Sequence, residues 1–243
     1  LLCSDCENLI STWEKSFCER IFSPLHNDPK YTNPIRYEKW FLKFATSVSF
    51  RVLTYFYRIN DLSHFSKQQQ DLVLTASNTW RDFMLDKISN PRQFEQHFIP
   101  VGAISSYSGQ TISPHLNRYF LRSIHMDMIC SDSTAMVYTK MGHFILFGFI
   151  QNNQTRRWKG TKIHVNNGLI IPRSYEIPIS IANYWNEKAE EAAVALNSIS
   201  PKQKDLVNQS ILNNPDKFID SEIFRATQYD IYHSGKRAFK IAE

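Results

Sequence analysis

The stretch that decides the fold runs from Met136 to Pro172 and reads MVYTKMGHFILFGFIQNNQTRRWKGTKIHVNNGLIIP. β-Branched and aromatic residues dominate it, and turn-forming asparagines and glycines interrupt it at Asn152-Asn153 and Asn166-Asn167-Gly168. The pattern predicts three successive strands, the first two joined by a tight turn at Met141-Gly142. Their expected positions are about Val137–Thr139, Phe144–Gln151 and Thr161–Ile171.

A fourth strand is predicted just before this stretch, at Leu121–Cys130. The polar turn Ser131–Thr134 would join it to the others, and a four-stranded antiparallel meander is the simplest topology. Helical patterns precede and follow these strands. The chain is therefore predicted to be α+β, with helices flanking a central antiparallel sheet of about four strands.

Apolar residues at steps of three and four predict the helices. Two Ser-x-x-Gln capping boxes, Ser66 with Gln69 and Ser200 with Gln203, predict two helix starts. The predicted helices are residues 1–22, Arg36–Arg58, Lys67–Ile88, a short helix from Asn90 to about His97, and three more after Pro178, Ser200 and Asn214. Arg36–Arg58 is long and apolar, but Lys43 and Arg51 interrupt it, so it is predicted to be a core helix and not a membrane span.

Composition bounds the class of protein. A chain of 243 residues is long enough to bury a large core without disulfides. Its four cysteines are too few and too unevenly spaced for a disulfide framework, which indicates a reducing compartment. Without a membrane-length apolar run or a leader, a soluble cytoplasmic protein with no membrane partner is expected. Since the chain begins at Leu1, directly before a cysteine pair, we expect it to be part of a longer protein.

The net charge of +5 is concentrated in one region. Ser133 to Tyr175 contains no Asp or Glu but carries six basic residues, so the rest of the chain is close to neutral. Four of the six lie in one loop, TRRWKGTK at residues 155–162: Arg156, Arg157, Lys159 and Lys162. Cations of this kind neutralise phosphates, and Trp158 could stack on a base, so the loop is a candidate nucleic-acid contact. The alternative is a solvated loop whose tryptophan folds back on the sheet.

Cys3-x-x-Cys6 is the motif with the clearest chemistry. Two thiolates at a helix start can hold a zinc ion from one side, although structural zinc needs four ligands. Two alternatives stay open: a pair of ordinary buried cysteines, and a redox pair. Common catalytic motifs such as HExxH, GxSxG and phosphate-binding glycine loops are absent from the sequence.

The sequence Leu-Leu-Cys-x-x-Cys followed by a helix resembles the closing part of zinc-containing HNH endonucleases. Three runs are also similar to a group of largely uncharacterised bacterial proteins: LLCSDCENLISTWEKSFCERIF (1–22), WFLKFATSVSFRVL (40–53) and WKGTKIHVNNG (158–168). The resemblance implies that Cys3 and Cys6 are two ligands of a structural zinc ion whose other ligands lie upstream. It also implies that residues 1–22 are the remnant of a zinc-binding HNH-like module. From the order of helices and strands, residues 23–243 are predicted to form a single α+β domain.

The resemblance has departures. Glu7 stands where many HNH proteins have histidine, and the general-base histidine with its metal-binding neighbours has no counterpart in this sequence. No catalytic residue is therefore assigned, and Mg²⁺ or Mn²⁺ is expected only if the intact protein is a nuclease. The other candidate is a site on His125 and Asp127, which would share one face of a strand and could pair as a base and its orienter.

The leading hypothesis is an HNH-endonuclease-like protein that binds, and in its intact form cleaves, nucleic acid such as DNA. The alternative is a non-enzymatic, zinc-stapled module that binds a protein partner.

Overall fold

The computed structural model describes residues 3–28, 31, 33–59, 62–102, 104, 111–122, 124–153, 155–171 and 175–239. The chain divides into two compact units: Leu1–Pro100 with Ile124–Glu176, and Val101–Ser123 with Ile177–Glu243. Helices and an antiparallel four-stranded sheet make up the fold, which confirms the α+β prediction.

The first unit contains the strands, which form two sheets. They are β1 (Ile35–Glu38), β2 (Gln96–Pro100), β3 (Ile124–Ser131), β4 (Thr134–Met141), β5 (Phe144–Asn152) and β6 (Asn167–Ile170). The main sheet has the order β2-β5-β4-β3 and is antiparallel throughout, while β1 and β6 pair separately. The meander of β3, β4 and β5 is as predicted, and Gly142 makes its second turn with a positive φ of 57°.

The fourth strand of the main sheet is not the predicted one. Thr161–Ile171 was expected to be a continuous strand there, but only Asn167–Ile170 forms a strand, which pairs with β1. Lys162 makes an isolated antiparallel bridge to His97 of β2. The fourth position belongs to β2, in a segment predicted to be the end of a short helix. Gln96–Pro100 is a strand because it forms hydrogen bonds with β5. No local pattern within Gln96–Pro100 predicts this pairing.

The helices of the first unit are α1 (Ser4–Phe17), α2 (Ser23–Asn27), α3 (Lys39–Arg58) and α4 (Lys67–Met84). A π-helical turn, Cys18–Phe22, joins α1 to α2. The second unit contains α5 (Leu116–Arg122), α6 (Ile179–Asn197), α7 (Pro201–Asn213), α8 (Pro215–Ile219) and α9 (Glu222–Ser234). Both predicted capping boxes are present, at the starts of α4 and α7.

One face of the main sheet packs on α3 and α4. Phe17 of α1 stacks on Phe44 of α3, with ring centroids 4.2 Å apart, so α1 joins this core. Close approach of α3 to the sheet depends on Gly148 of β5, because a Cβ there would lie 2.4 Å from Ser49 Oγ. Residues 1–22 were predicted to be the remnant of a zinc-binding module. The packing of α1 does not test whether its cysteines bind a metal, so this stays a prediction.

Within the described residues, none of the helices is long and apolar enough to cross a membrane. The core-helix prediction for α3 fits its burial, since even Lys43 lies in the interior and pairs with Asp86.

The second unit contains a buried carboxylate that joins two of its helices. Asp230 of α9 is 1% exposed and accepts hydrogen bonds from the Asn117 backbone N–H (3.0 Å) and from Arg118 Nε (2.9 Å). A buried charge is tolerated when it is paired and hydrogen-bonded in this way. The contact fixes the start of α5 against α9.

Candidate functional site

The cysteine pair lies at the start of α1. Cys3 is the N-cap residue and is exposed, while Cys6, one turn later, is partly exposed. The backbone N–H of Cys6, followed by the Cys6 thiol, hydrogen-bonds the Cys3 sulfur and lowers the pKa of the Cys3 thiol. The same thiol–thiol bond raises the pKa of Cys6. The Cys3 sulfur is therefore the acceptor and the Cys6 thiol the donor. Cys3 is exposed, so the alternative of ordinary buried cysteines is wrong for Cys3.

The donor set fits half of a zinc site. Thiolates are the ligands that structural zinc prefers, and two residues of separation at a helix start bring both sulfurs to one side of an ion. Among the described residues, no third Cys, His, Asp or Glu groups with these sulfurs at metal-binding distance. Cys18 is exposed elsewhere, and the Cys130 thiol is 3.5 Å from the His64 carbonyl oxygen. Within the described part of the chain, Cys3 and Cys6 are thus the two candidate zinc ligands at this position, and their role as ligands stays a prediction.

Residues 155–163, which we name the basic loop, follow β5 and begin with a 3₁₀ turn at Thr155–Trp158. Trp158 is only 3% exposed, and its ring meets those of Phe147 and Phe149 edge-on at 4.8 and 5.0 Å. An indole buried in this way is not available to stack on a base. The alternative, a tryptophan folded back on the sheet, is confirmed.

The cations of the basic loop differ in their surroundings. Arg157 and Lys159 are exposed on either side of the buried tryptophan. Lys162 is also exposed, but its Nζ lies 2.5 Å from Glu95 Oε1. The side chain of Arg156 falls outside the described residues. Two of the four predicted phosphate contacts, Arg157 and Lys159, therefore have exposed side chains on the backbone that flanks the buried Trp158.

Glu95 and His97, beside the basic loop, were missed by sequence reasoning. His97 is 2% exposed; its Nδ1 lies 2.7 Å from Thr161 Oγ1 and its Nε2 3.4 Å from Glu95 Oε2. Hydrogen bonding to His97, and then to Lys162, lowers the pKa of Glu95 to about 2. The i, i+2 spacing of Glu95 and His97 would have indicated a shared strand face, but the segment was predicted to be helical.

His125 and Asp127 do lie on one strand, β3, directly opposite Lys140 and Tyr138 of β4. The rings of His125 and Tyr138 meet edge-on at 5.7 Å, and Asp127 Oδ1 accepts the N–H of Met128 at 2.8 Å. Lys140 is fully buried, and burial lowers its pKa to about 7. Lys140 therefore belongs to the interior of the protein and not to the basic surface.

Comparison with known proteins returned no matching family model, no matching curated protein and no matching solved structure.

Proposed function

We propose that this chain is part of an HNH-endonuclease-like protein that binds nucleic acid through the basic loop and holds a structural zinc ion through Cys3 and Cys6. The observation that carries the binding function is the exposure of Arg157 and Lys159 on a loop anchored by Trp158. Exposed cations on a loop whose own sequence contains no carboxylate attract a phosphate backbone, although Glu95 of the neighbouring segment pairs with Lys162. Arg156 and Lys162 are the further phosphate contacts of the proposal.

The zinc part is supported by the lowered pKa of the Cys3 thiol, caused by hydrogen bonds from Cys6, and by the position of Cys6 one turn away. A zinc ion there would tie the start of α1 to two further ligands and would replace the shared proton between the sulfurs. Strand cleavage would in addition need Mg²⁺ or Mn²⁺ at catalytic residues that stay unassigned.

Nucleic-acid binding is tested by a salt titration with fluorescent duplex DNA. Each phosphate contact contributes about 0.9 to the slope of log K against log salt concentration, so Arg157→Glu with Lys159→Glu should lower that slope by about 2. The charge-matched control is Lys67→Glu with Lys87→Glu, which alters two exposed lysines of the same unit. Equal affinities for the two double variants would remove the basic loop from the proposal.

Zinc binding is tested by metal analysis of the natural full-length protein. We expect zinc in the wild type, and its loss in Cys3→Ser and Cys6→Ser. The control Cys18→Ser, at an exposed cysteine, should keep its zinc. A wild type purified without chelators that contains no zinc would contradict the metal site, whatever the DNA result.

The second candidate is a non-enzymatic module in which zinc only staples α1 and the protein binds a protein partner. Exposed apolar residues on α7 favour it: Leu206, Val207 and Leu212 are 58%, 52% and 76% exposed. It predicts no DNA affinity in either the wild type or the charge-reversed variants.

A further inference from the structure

Two histidines of the first unit come together from segments that are far apart in the sequence. His26 lies in the short helix α2, and His143 follows Gly142 in the tight turn between β4 and β5. Both side chains are half-buried, and their ring centroids are 6.0 Å apart. The pair therefore links α2 to the β4–β5 hairpin and remains accessible to solvent.

The two rings turn nitrogen atoms toward each other. One nitrogen of His26 and one nitrogen of His143 lie within 4.8 Å of each other, which is shorter than the 6.0 Å between the ring centroids. Each Zn–N bond is about 2.0–2.1 Å long, so a single ion can bridge two nitrogens up to about 4.2 Å apart. A small rotation of either imidazole is enough to bring both nitrogens to that distance.

Phenylalanine rings hold the two imidazoles in this arrangement. His26 stacks on Phe22 with centroids 5.1 Å apart, and the His143 ring meets Phe144 edge-on at 6.2 Å. Phe22 and Phe144 are themselves in contact at 5.4 Å, and Phe144 is fully buried. Packing of this kind explains where the imidazoles lie, but it does not by itself require their nitrogens to converge. It does lower the entropy cost of binding an ion, because side chains already in place lose little freedom.

We infer that His26 and His143 form a second metal site, which binds a divalent ion of the late first-row transition metals, such as Zn²⁺. Imidazole nitrogen suits zinc, copper and nickel, whereas Mg²⁺ and Mn²⁺ prefer oxygen ligands. The site is thus distinct from the Cys3–Cys6 pair and from any Mg²⁺ or Mn²⁺ used for strand cleavage. Two protein ligands leave the remaining coordination positions of the ion to water. The inference does not depend on the proposed function.

The expected affinity separates this site from the cysteine site. Two ligands bind zinc more weakly than the four of a structural site, so the histidine pair is filled by added zinc and not by zinc retained through purification. The probe protein is therefore Cys3→Ser with Cys6→Ser, which removes both thiolates. Cys3→Ser should keep α1 intact, because Cys3 is the N-cap residue and serine is preferred at that position.

Zinc titration of this double variant, followed by NMR of the histidine ring signals, tests the site. Bound zinc should shift the ring signals of His26 and His143 together, while the signals of His164, an exposed histidine, stay in place. Mg²⁺ at the same concentration should shift none of them. The same ring signals can be followed in the wild type, so the test does not depend on the folding of the double variant.

Single variants test whether both imidazoles bind the ion. His26→Gln and His143→Gln should each lower the zinc affinity at least about tenfold, because losing even an outer-shell partner of a metal ligand costs about 10–100-fold. His164→Gln is the matched control and should keep the affinity. The site is overturned if the His26 and His143 signals do not move with zinc, if they move equally with Mg²⁺, or if all three variants bind zinc alike. A wild type purified without zinc that still shows this response contradicts only the cysteine site.

Discussion

Replacing Trp158 by alanine should destabilise the first unit and not merely weaken a binding surface. The indole is 3% exposed and sits edge-on to the rings of Phe147 and Phe149. Truncating a buried tryptophan to alanine typically costs about 3–5 kcal/mol of unfolding free energy. Each aromatic pair contributes about 0.5–1.5 kcal/mol beyond the buried area, so the two ring contacts account for about 1–3 kcal/mol of geometry-dependent stabilisation.

The assay is urea unfolding followed by far-UV circular dichroism, with separate transitions fitted if the two units unfold apart. Trp158→Phe should retain part of the stability, because a smaller ring still contacts Phe147 and Phe149. Tyr57→Ala removes an aromatic ring that is 53% exposed in the same unit, and it should change the unfolding free energy by no more than about 0.5 kcal/mol.

The opposite result would identify Trp158 as a base-stacking residue. In that case Trp158→Ala would change the unfolding free energy by less than about 1 kcal/mol while lowering DNA affinity by the 1–3 kcal/mol typical of a stacked base. Such an outcome would refute the assignment of the indole to the core and, with it, the anchored basic loop.

Other substitutions test the packing and the buried charges. Gly148→Ala should lower the unfolding free energy, measured by calorimetry, by about 1–3 kcal/mol, because the new Cβ would lie 2.4 Å from Ser49 Oγ. The control measured in the same way is Gly102→Ala, whose Cβ would have open space around it. The unfolding free energy of the wild type should rise as pH increases from 7 toward 10.5, because in this range Lys140 is neutral in the folded protein and protonated in the unfolded chain. Lys140→Met should abolish that part of the rise, measured by urea titrations at successive pH values. Asp230→Ala should lower the stability of the second unit by about 3 kcal/mol in thermal unfolding, because it leaves the Arg118 guanidinium without its buried counter-ion. An unchanged melting temperature would contradict the role of that carboxylate in joining α5 to α9.

The features that the sequence predicted well are local ones. Ser66 with Gln69 forms a capping box because the partners are three residues apart and need no distant contact. The β4–β5 hairpin follows from Gly142, which adopts the positive φ that its turn requires, and from the apolar residues around it. The position of the CxxC pair at a helix start was also predicted from the sequence, although its role as a zinc site stays a prediction.

The features that only the tertiary structure decided depend on contacts between residues that are far apart in the sequence. Gln96–Pro100 is a strand because β5 lies beside it, and Trp158 is buried because the rings of β5 are within reach, which removes it from the binding surface. Lys140 and Arg157 are both basic residues in the sequence. Burial lowers the pKa of Lys140 to about 7, whereas the side chain of Arg157 is exposed to solvent. Local pattern fixes where a segment can bend or coil, whereas strand pairing and desolvation are set by whichever distant residues the fold brings into contact.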